Sequence, residues 1–282
     1  MKQQDSTSFM THHHGLRRAA ILSAVAVTAI VVCGPLLAQD RAPAAVAEAP
    51  NCAVQSDIAR FAFPLSRLSV RLSGGLPIKI VAIGSSSTAG AGASAPGNSY
   101  PSRLEAELRA HFPDHPLTVV NRGVNGEEAV DMLARFESNV MAENPHLVVW
   151  QVGTNSLLRD RPLDRRSRIL QEGIERLKAR RMDVVLMDPQ YAPRVLAKAD
   201  REAAVAQIAE TTKQQKVDLM RRYDMMRHWH ESERLPFETF VTADGLHMND
   251  WGYACLATSL GMAIVEAATR PTETAAVPQM KR

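Results

Sequence analysis

Pro77-Ile78-Lys79-Ile80-Val81-Ala82-Ile83-Gly84-Ser85-Ser86-Ser87-Thr88-Ala89-Gly90 decides how the chain is read. An apolar run rich in β-branched residues stops at Gly84, the pattern of a strand buried on both faces. Four consecutive hydroxyl residues, Ser85 to Thr88, follow it. An open α/β sheet binds its ligands at the carboxyl ends of its strands, so hydroxyls leaving a buried strand stand where chemistry is done.

Working outward, Leu117-Thr118-Val119-Val120, Leu147-Val148-Val149-Trp150 and Val184-Val185-Leu186-Met187 read as three more strands. Helical patterns separate them. One begins near Pro101, with Leu104, Leu108 and Phe112 four residues apart on one face. A second spans Glu127 to Val140, with Val130, Leu133, Phe136 and Val140 at helical spacing. A third, Asp164 to Arg181, buries Ile169, Leu170, Ile174 and Leu177 and turns its arginines to water, and a long stretch follows from about Ala199. Alternating strands and helices require right-handed crossovers and give a parallel sheet covered on both faces. The expected fold class is therefore α/β, a flavodoxin-like three-layer α/β/α sandwich with a mainly parallel sheet of about five strands.

The ends read differently. Arg17 and Arg18 precede an uncharged, mainly apolar run from Ala19 to Val32, so residues 1–38 read as an export signal, cleaved after Ala38 or retained as a membrane anchor. The Ala- and Pro-rich residues 39–51 read as a linker, 52–270 as one folded domain and 271–282 as a flexible tail. Cleavage would leave Cys52 and Cys255, either bridged in an oxidising compartment or two separate buried thiols. The formal net charge is +3, and Lys2, Arg17 and Arg18 against Asp5 hold most of it in the export segment. The domain itself is nearly neutral, which gives no electrostatic case for nucleic-acid binding. Contact with a membrane is expected only through the N-terminal segment.

Three loops should open onto one edge of the sheet: Gly84 to Gly90 after the first strand, Asn121 to Gly126 after the second and Gly153-Thr154-Asn155 after the third. Asp244-Gly245-Leu246-His247, just ahead of the last helix, can return to the same edge. Each segment alone has the composition of an ordinary turn. Together they contain what acyl transfer needs, namely a hydroxyl nucleophile, a base, an orienting carboxylate and donors for an oxyanion. No Cys/His spacing suits zinc, and neither a phosphate-binding Gly-x-x-x-x-Gly-Lys loop nor a Gly-x-Ser-x-Gly elbow is present. Glu127, Glu128 and Asp131 read as acids opening a helix and not as a metal site. Asp224 and His228, four apart, read as a surface ion pair.

In order and spacing, the four segments resemble the four sequence blocks of the SGNH (GDSL-like) hydrolases, over about Ile78 to Ala267. That resemblance implies Ser86 as nucleophile, His247 as base and Asp244 as its orienting carboxylate. It also implies an oxyanion hole made by the backbone N–H groups of Ser86 and Gly126 and the side-chain amide of Asn155. The implied activity is metal-independent, cofactor-free hydrolysis of a small-molecule, carbohydrate or lipid ester. An acyl transferase would use the same residues. Two positions depart from the family pattern: Ser85 stands where Asp is usual, and Ser156 where Asp often follows the Asn. The first departure raises the question of how the nucleophile loop is braced, and motivates a rival reading as a non-catalytic envelope binding protein that keeps the fold.

Overall fold

The computed structural model describes Cys52, Ile58 and residues 60–270. The expected export segment, linker and tail lie outside the described residues. Helix α1 (Ser66–Ser73) leads into β1 (Ile78–Gly84), α2 (Ser86–Ala89), α3 (Tyr100–His111) and β2 (Leu117–Gly123). Next come α4 (Ala129–Ala134), α5 (Phe136–Asn139), β3 (Leu147–Gln151), α6 (Thr154–Leu158) and α7 (Leu163–Ala179). The chain continues through β4 (Asp183–Met187), α8 (Pro193–Leu196), α9 (Arg201–Gln215), β5 (Asp218–Met220), α10 (Arg222–Arg227) and α11 (Asp250–Thr269).

The five strands pair in the order β2-β1-β3-β4-β5, every pair parallel. This is the flavodoxin-like order expected from the alternation. Side chains alternate across the pleat. Ile80 and Ala82 of β1 therefore join Leu147 and Val149 of β3 in a core shared with Leu104 of α3 and Leu256 and Leu260 of α11. Val81 and Ile83 join Val148 and Trp150 on the other face, against Met132 of α4 and Leu170 and Ile174 of α7. Both faces of each central strand are apolar because both are covered.

Several expectations are corrected. The helix expected over 127–140 is two short ones, interrupted at Arg135 (φ −107°, ψ 13°). The Arg135 guanidinium donates to the Arg122 carbonyl (2.8 Å) and pairs with Glu127 (2.6 Å), contacts that tie the break to the end of β2. The buried face of α4 is set by Ala129, Met132 and Leu133, which leaves Val130 exposed. Not every arginine of α7 faces water: Arg166 is buried and pairs with Asp200 at 2.8 Å. The long helical stretch expected from about Ala199 is α9, which starts at Arg201 after the separate turn of α8. Phe112 lies just past the end of α3 and, half-buried, packs against the same core as Leu104 and Leu108.

Cys52 and Cys255 are bonded to each other, with Cα atoms 5.2 Å apart across a separation of 203 residues. Of the two readings open in the sequence, the bridge holds. In the chain-entropy picture a loop this long stabilises the fold by up to about 5 kcal/mol. Two carboxyls at strand starts, Asp183 half-buried and Asp218 buried, also anchor the domain's opening segment. Asp183 accepts from the N–H groups of Arg67 and Leu68 in the first turn of α1, and Asp218 accepts from Phe63 N–H. Burial pushes both carboxyls up to about 6, against the lowering effect of those hydrogen bonds, and pushes Asp188 up to about 7.

An unfolded aspartate titrates near 3.9. A carboxyl whose folded pKa lies higher holds its proton more tightly when folded, so its contribution to stability is complete below about pH 4 and is lost as pH rises toward 6 to 7. The melting temperature should therefore decline between about pH 4 and pH 7, and Asp183→Asn and Asp218→Asn should each flatten that slope. Calorimetry across the range checks this; equal slopes in wild type and both variants would contradict it.

Candidate active site

Ser86 opens α2 at the end of β1, and glycine makes the seat. A Cβ at Gly123, the last residue of β2, would stand 2.1 Å from the Ala89 nitrogen, so only glycine lets α2 lie against that strand end. Asn121 secures the contact by donating to the Thr88 carbonyl (2.8 Å) while accepting from Gly123 N–H (2.9 Å). Val124 N–H donates to the Gly84 carbonyl (3.0 Å), which keeps the second loop beside the first.

Ser85 is buried, and its brace is Gln151 at the end of β3. The Gln151 Oε1 accepts from Ser85 N–H at 2.8 Å, Ser85 Oγ at 3.0 Å and Thr88 Oγ1 at 3.4 Å. The question raised by the missing aspartate is thus answered by a neutral amide on the neighbouring strand. Sequence reasoning passed over Gln151; the only signal was a polar residue closing an otherwise apolar strand.

His247 stands in a tight turn between Val241 and Met248, which pair as a short antiparallel bridge. Asp244 organises that turn. Its Oδ1 accepts from Thr242 Oγ1 (2.7 Å), Leu246 N–H (2.8 Å) and His247 N–H (2.9 Å), and its Oδ2 meets His247 Nδ1 at 2.5 Å. Partial burial works to raise the Asp244 pKa, but these hydrogen bonds outweigh it and hold the carboxyl well below the usual carboxylate range. The other ring nitrogen, Nε2, lies 2.8 Å from Ser86 Oγ. Gly92 permits the approach of the two loops: at φ +90° it adopts a backbone unsuited to other residues, and a Cβ there would fall 2.4 Å from the Met248 carbonyl. The His247 side chain keeps 18% of its surface, so the pair is reachable from solvent.

Three of the expected residues, Ser86, His247 and Asp244, therefore form one hydrogen-bonded series. Of the expected oxyanion donors, the Ser86 and Gly126 N–H groups have no acceptor among the described residues. Asn155 donates one amide hydrogen to the Glu127 carbonyl (2.8 Å), which fixes its side chain next to the Gly126 segment and leaves its second N–H. Glu127 is paired with Arg135, Glu128 with Arg159 and Arg161, and Asp131 accepts from Glu128 N–H at 2.9 Å. The expected Asp224–His228 pair is not formed. Asp224 is held between Arg221 and Arg227 at 2.6 Å each, and His228 turns to Glu233 at 3.2 Å.

A five-stranded parallel sheet in this order, with hydroxyl, amide and imidazole loops at one edge, gives the chain an SGNH-like α/β fold. More particularly, residues 51–270 match the non-GDSL lipase-like family, and the chain belongs to it. An acetylxylan esterase of Geobacillus stearothermophilus is 30% identical over 105 residues, 34% of this chain. The chain spans about half of that relative, 48% of its length. Among solved structures, a two-domain esterase active on acetylated mannans superposes with a TM-score of 0.63 at 19% identity, covering 76% of this chain and 58% of its own. The acetyl xylan esterase AlAXEase superposes with a TM-score of 0.57 at 21% identity, covering 66% of this chain and 100% of its own.

Replacing Gln151 with Leu keeps the volume but leaves the buried Ser85 N–H without an acceptor. We expect a loss of about 1 to 3 kcal/mol of stability and slower labelling of the neighbouring Ser86 by an organophosphate. Urea unfolding and active-site titration with an organophosphate are the checks. Unchanged stability and labelling would show that the amide is not the brace.

Proposed function

We propose that the protein is a serine ester hydrolase that removes O-acetyl groups from a carbohydrate, with Ser86 as nucleophile. The observation that carries the reading is the 2.8 Å approach of Ser86 Oγ to His247 Nε2, with His247 Nδ1 on Asp244. The substrate class is taken from the relatives' acetylated xylan and mannan. His247 accepts the Ser86 proton as Oγ attacks the acyl carbon, and Asp244 holds the ring in the required tautomer and stabilises the imidazolium. Negative charge developing on the carbonyl oxygen is met by the N–H groups of Ser86 and Gly126 and by the free amide hydrogen of Asn155. His247 then returns the proton to the departing sugar hydroxyl. A water, deprotonated by the same imidazole, releases acetate and restores Ser86.

Ser86→Ala should reduce hydrolysis of p-nitrophenyl acetate and of acetylated xylo- and manno-oligosaccharides to background, while Ser85→Ala keeps measurable turnover. Asn155→Ala should lower kcat by about 100- to 1000-fold. Full activity in Ser86→Ala would end this assignment.

We also propose that the domain works outside the cytoplasm, a reading supported by the Cys52–Cys255 bond and by the apolar run from Ala19 to Val32. Cell fractionation with N-terminal sequencing should find an exported chain beginning near Gln39, or an uncleaved one in the membrane fraction. Recovery of the full-length chain from the cytosol alone would exclude export.

A further inference from the structure

Gln190, which follows β4 in Asp188-Pro189-Gln190, is buried to 1% exposure. Its Oε1 accepts from Thr154 Oγ1 and from Arg222 Nη2, each at 2.9 Å, and its Nε2 donates to the Leu246 carbonyl at 3.1 Å. The amide cannot be reversed without turning its N–H groups on the guanidinium, so the three bonds fix its orientation. Arg222, fully buried, is itself clamped by Nε and Nη2 on the Asp188 carbonyl at 3.0 and 2.7 Å.

The partners of Gln190 are the chain neighbours of two proposed active groups. Thr154 precedes Asn155, and Leu246 precedes His247. The peptide joining Leu246 to His247 is held on both edges, its carbonyl by Gln190 Nε2 and its N–H by Asp244 Oδ1 at 2.9 Å. Fixing that plane fixes the direction in which the His247 side chain leaves the backbone. Asp244 alone can orient the ring, but it belongs to the same turn and moves with it. Gln190, beyond the end of β4, refers the turn to the sheet from outside, as does the Arg194 N–H that donates to the Gly245 carbonyl at 3.0 Å, but Gln190 alone of the two holds the peptide that carries His247.

We infer that Gln190, clamped by Arg222, is a positioning residue that ties the Asn155 loop to the His247 turn and so holds imidazole and oxyanion donor in register. The inference rests on the reading of Ser86, His247 and Asn155 given above. Gln190→Met removes all three bonds at similar volume. Gln190→Glu keeps an acceptor for Thr154 and Arg222 and loses only the donor to Leu246.

Both variants should lower kcat on an acetyl ester by roughly 10- to 100-fold with KM within about twofold, since a misplacement near 1 Å costs about that much in rate. Both should also move or broaden the low-field proton resonance of the His247–Asp244 hydrogen bond. Ser86→Ala is measured alongside. If Ser86→Ala retains turnover, the reading of the site fails. If it is inactive while a folded Gln190→Met keeps wild-type kcat and an unmoved resonance, only the present inference fails. A lower melting temperature with kcat and resonance unchanged, or failure of both variants to fold, would make Gln190 a structural tie and overturn the positioning role.

Discussion

Strand β1 is hydrogen-bonded along both edges, to β2 from Ile78 through Gly84 and to β3 from Ile80 to Ile83, and runs parallel to each. Every feature of the site depends on that double pairing. Parallel strands end at the same edge, and the chain leaves β1 first toward β2 on one side and later toward β3 on the other. The loops at their ends therefore separate around a crevice, the place where open sheets of this order bind ligands. Antiparallel placement of any one of the three would send its loop to the opposite edge.

Within the crevice, the supports of Ser86 and His247 are mostly uncharged. Gln151 collects three donors around Ser85 and Thr88, and Gln190 spans Thr154, Arg222 and Leu246. A buried amide with its partners satisfied avoids the desolvation cost of a buried carboxylate, and its mixed donor and acceptor ends allow it to join unlike groups. The Ser85–Gln151 pair braces the Ser86 loop in this way without an aspartate at that position. Charge is kept where the proposed chemistry needs it, on Asp244, whose four hydrogen bonds hold it ionised beside the imidazole.

Local pattern carried the secondary structure where elements are long and regular, and lost it where tertiary bonds intervene. The apolar runs of β1, β3 and β4 and the face of α7 around Leu170, Ile174 and Leu177 were legible because burial imposes their period. The break at Arg135 was not, because its cause is a carbonyl thirteen residues away. Strand β5, three residues long, is too short for periodicity to reveal. The burial of Arg166 is not legible in the sequence because its partner, Asp200, lies on another part of the chain.

By itself the sequence determined the alternation of the first four strands with helices, the hydroxyl-rich turn after β1, and the nearness of Asp244 to His247, since three residues of backbone span at most about 10 Å. The meeting of Ser86 with His247, 161 residues apart, was decided by tertiary structure, as were the braces at Gln151 and Gln190 and the bond between Cys52 and Cys255. Torsional preference and hydrophobic period act between near neighbours. Which distant segments touch is settled only when strands choose partners and every buried polar group must find one.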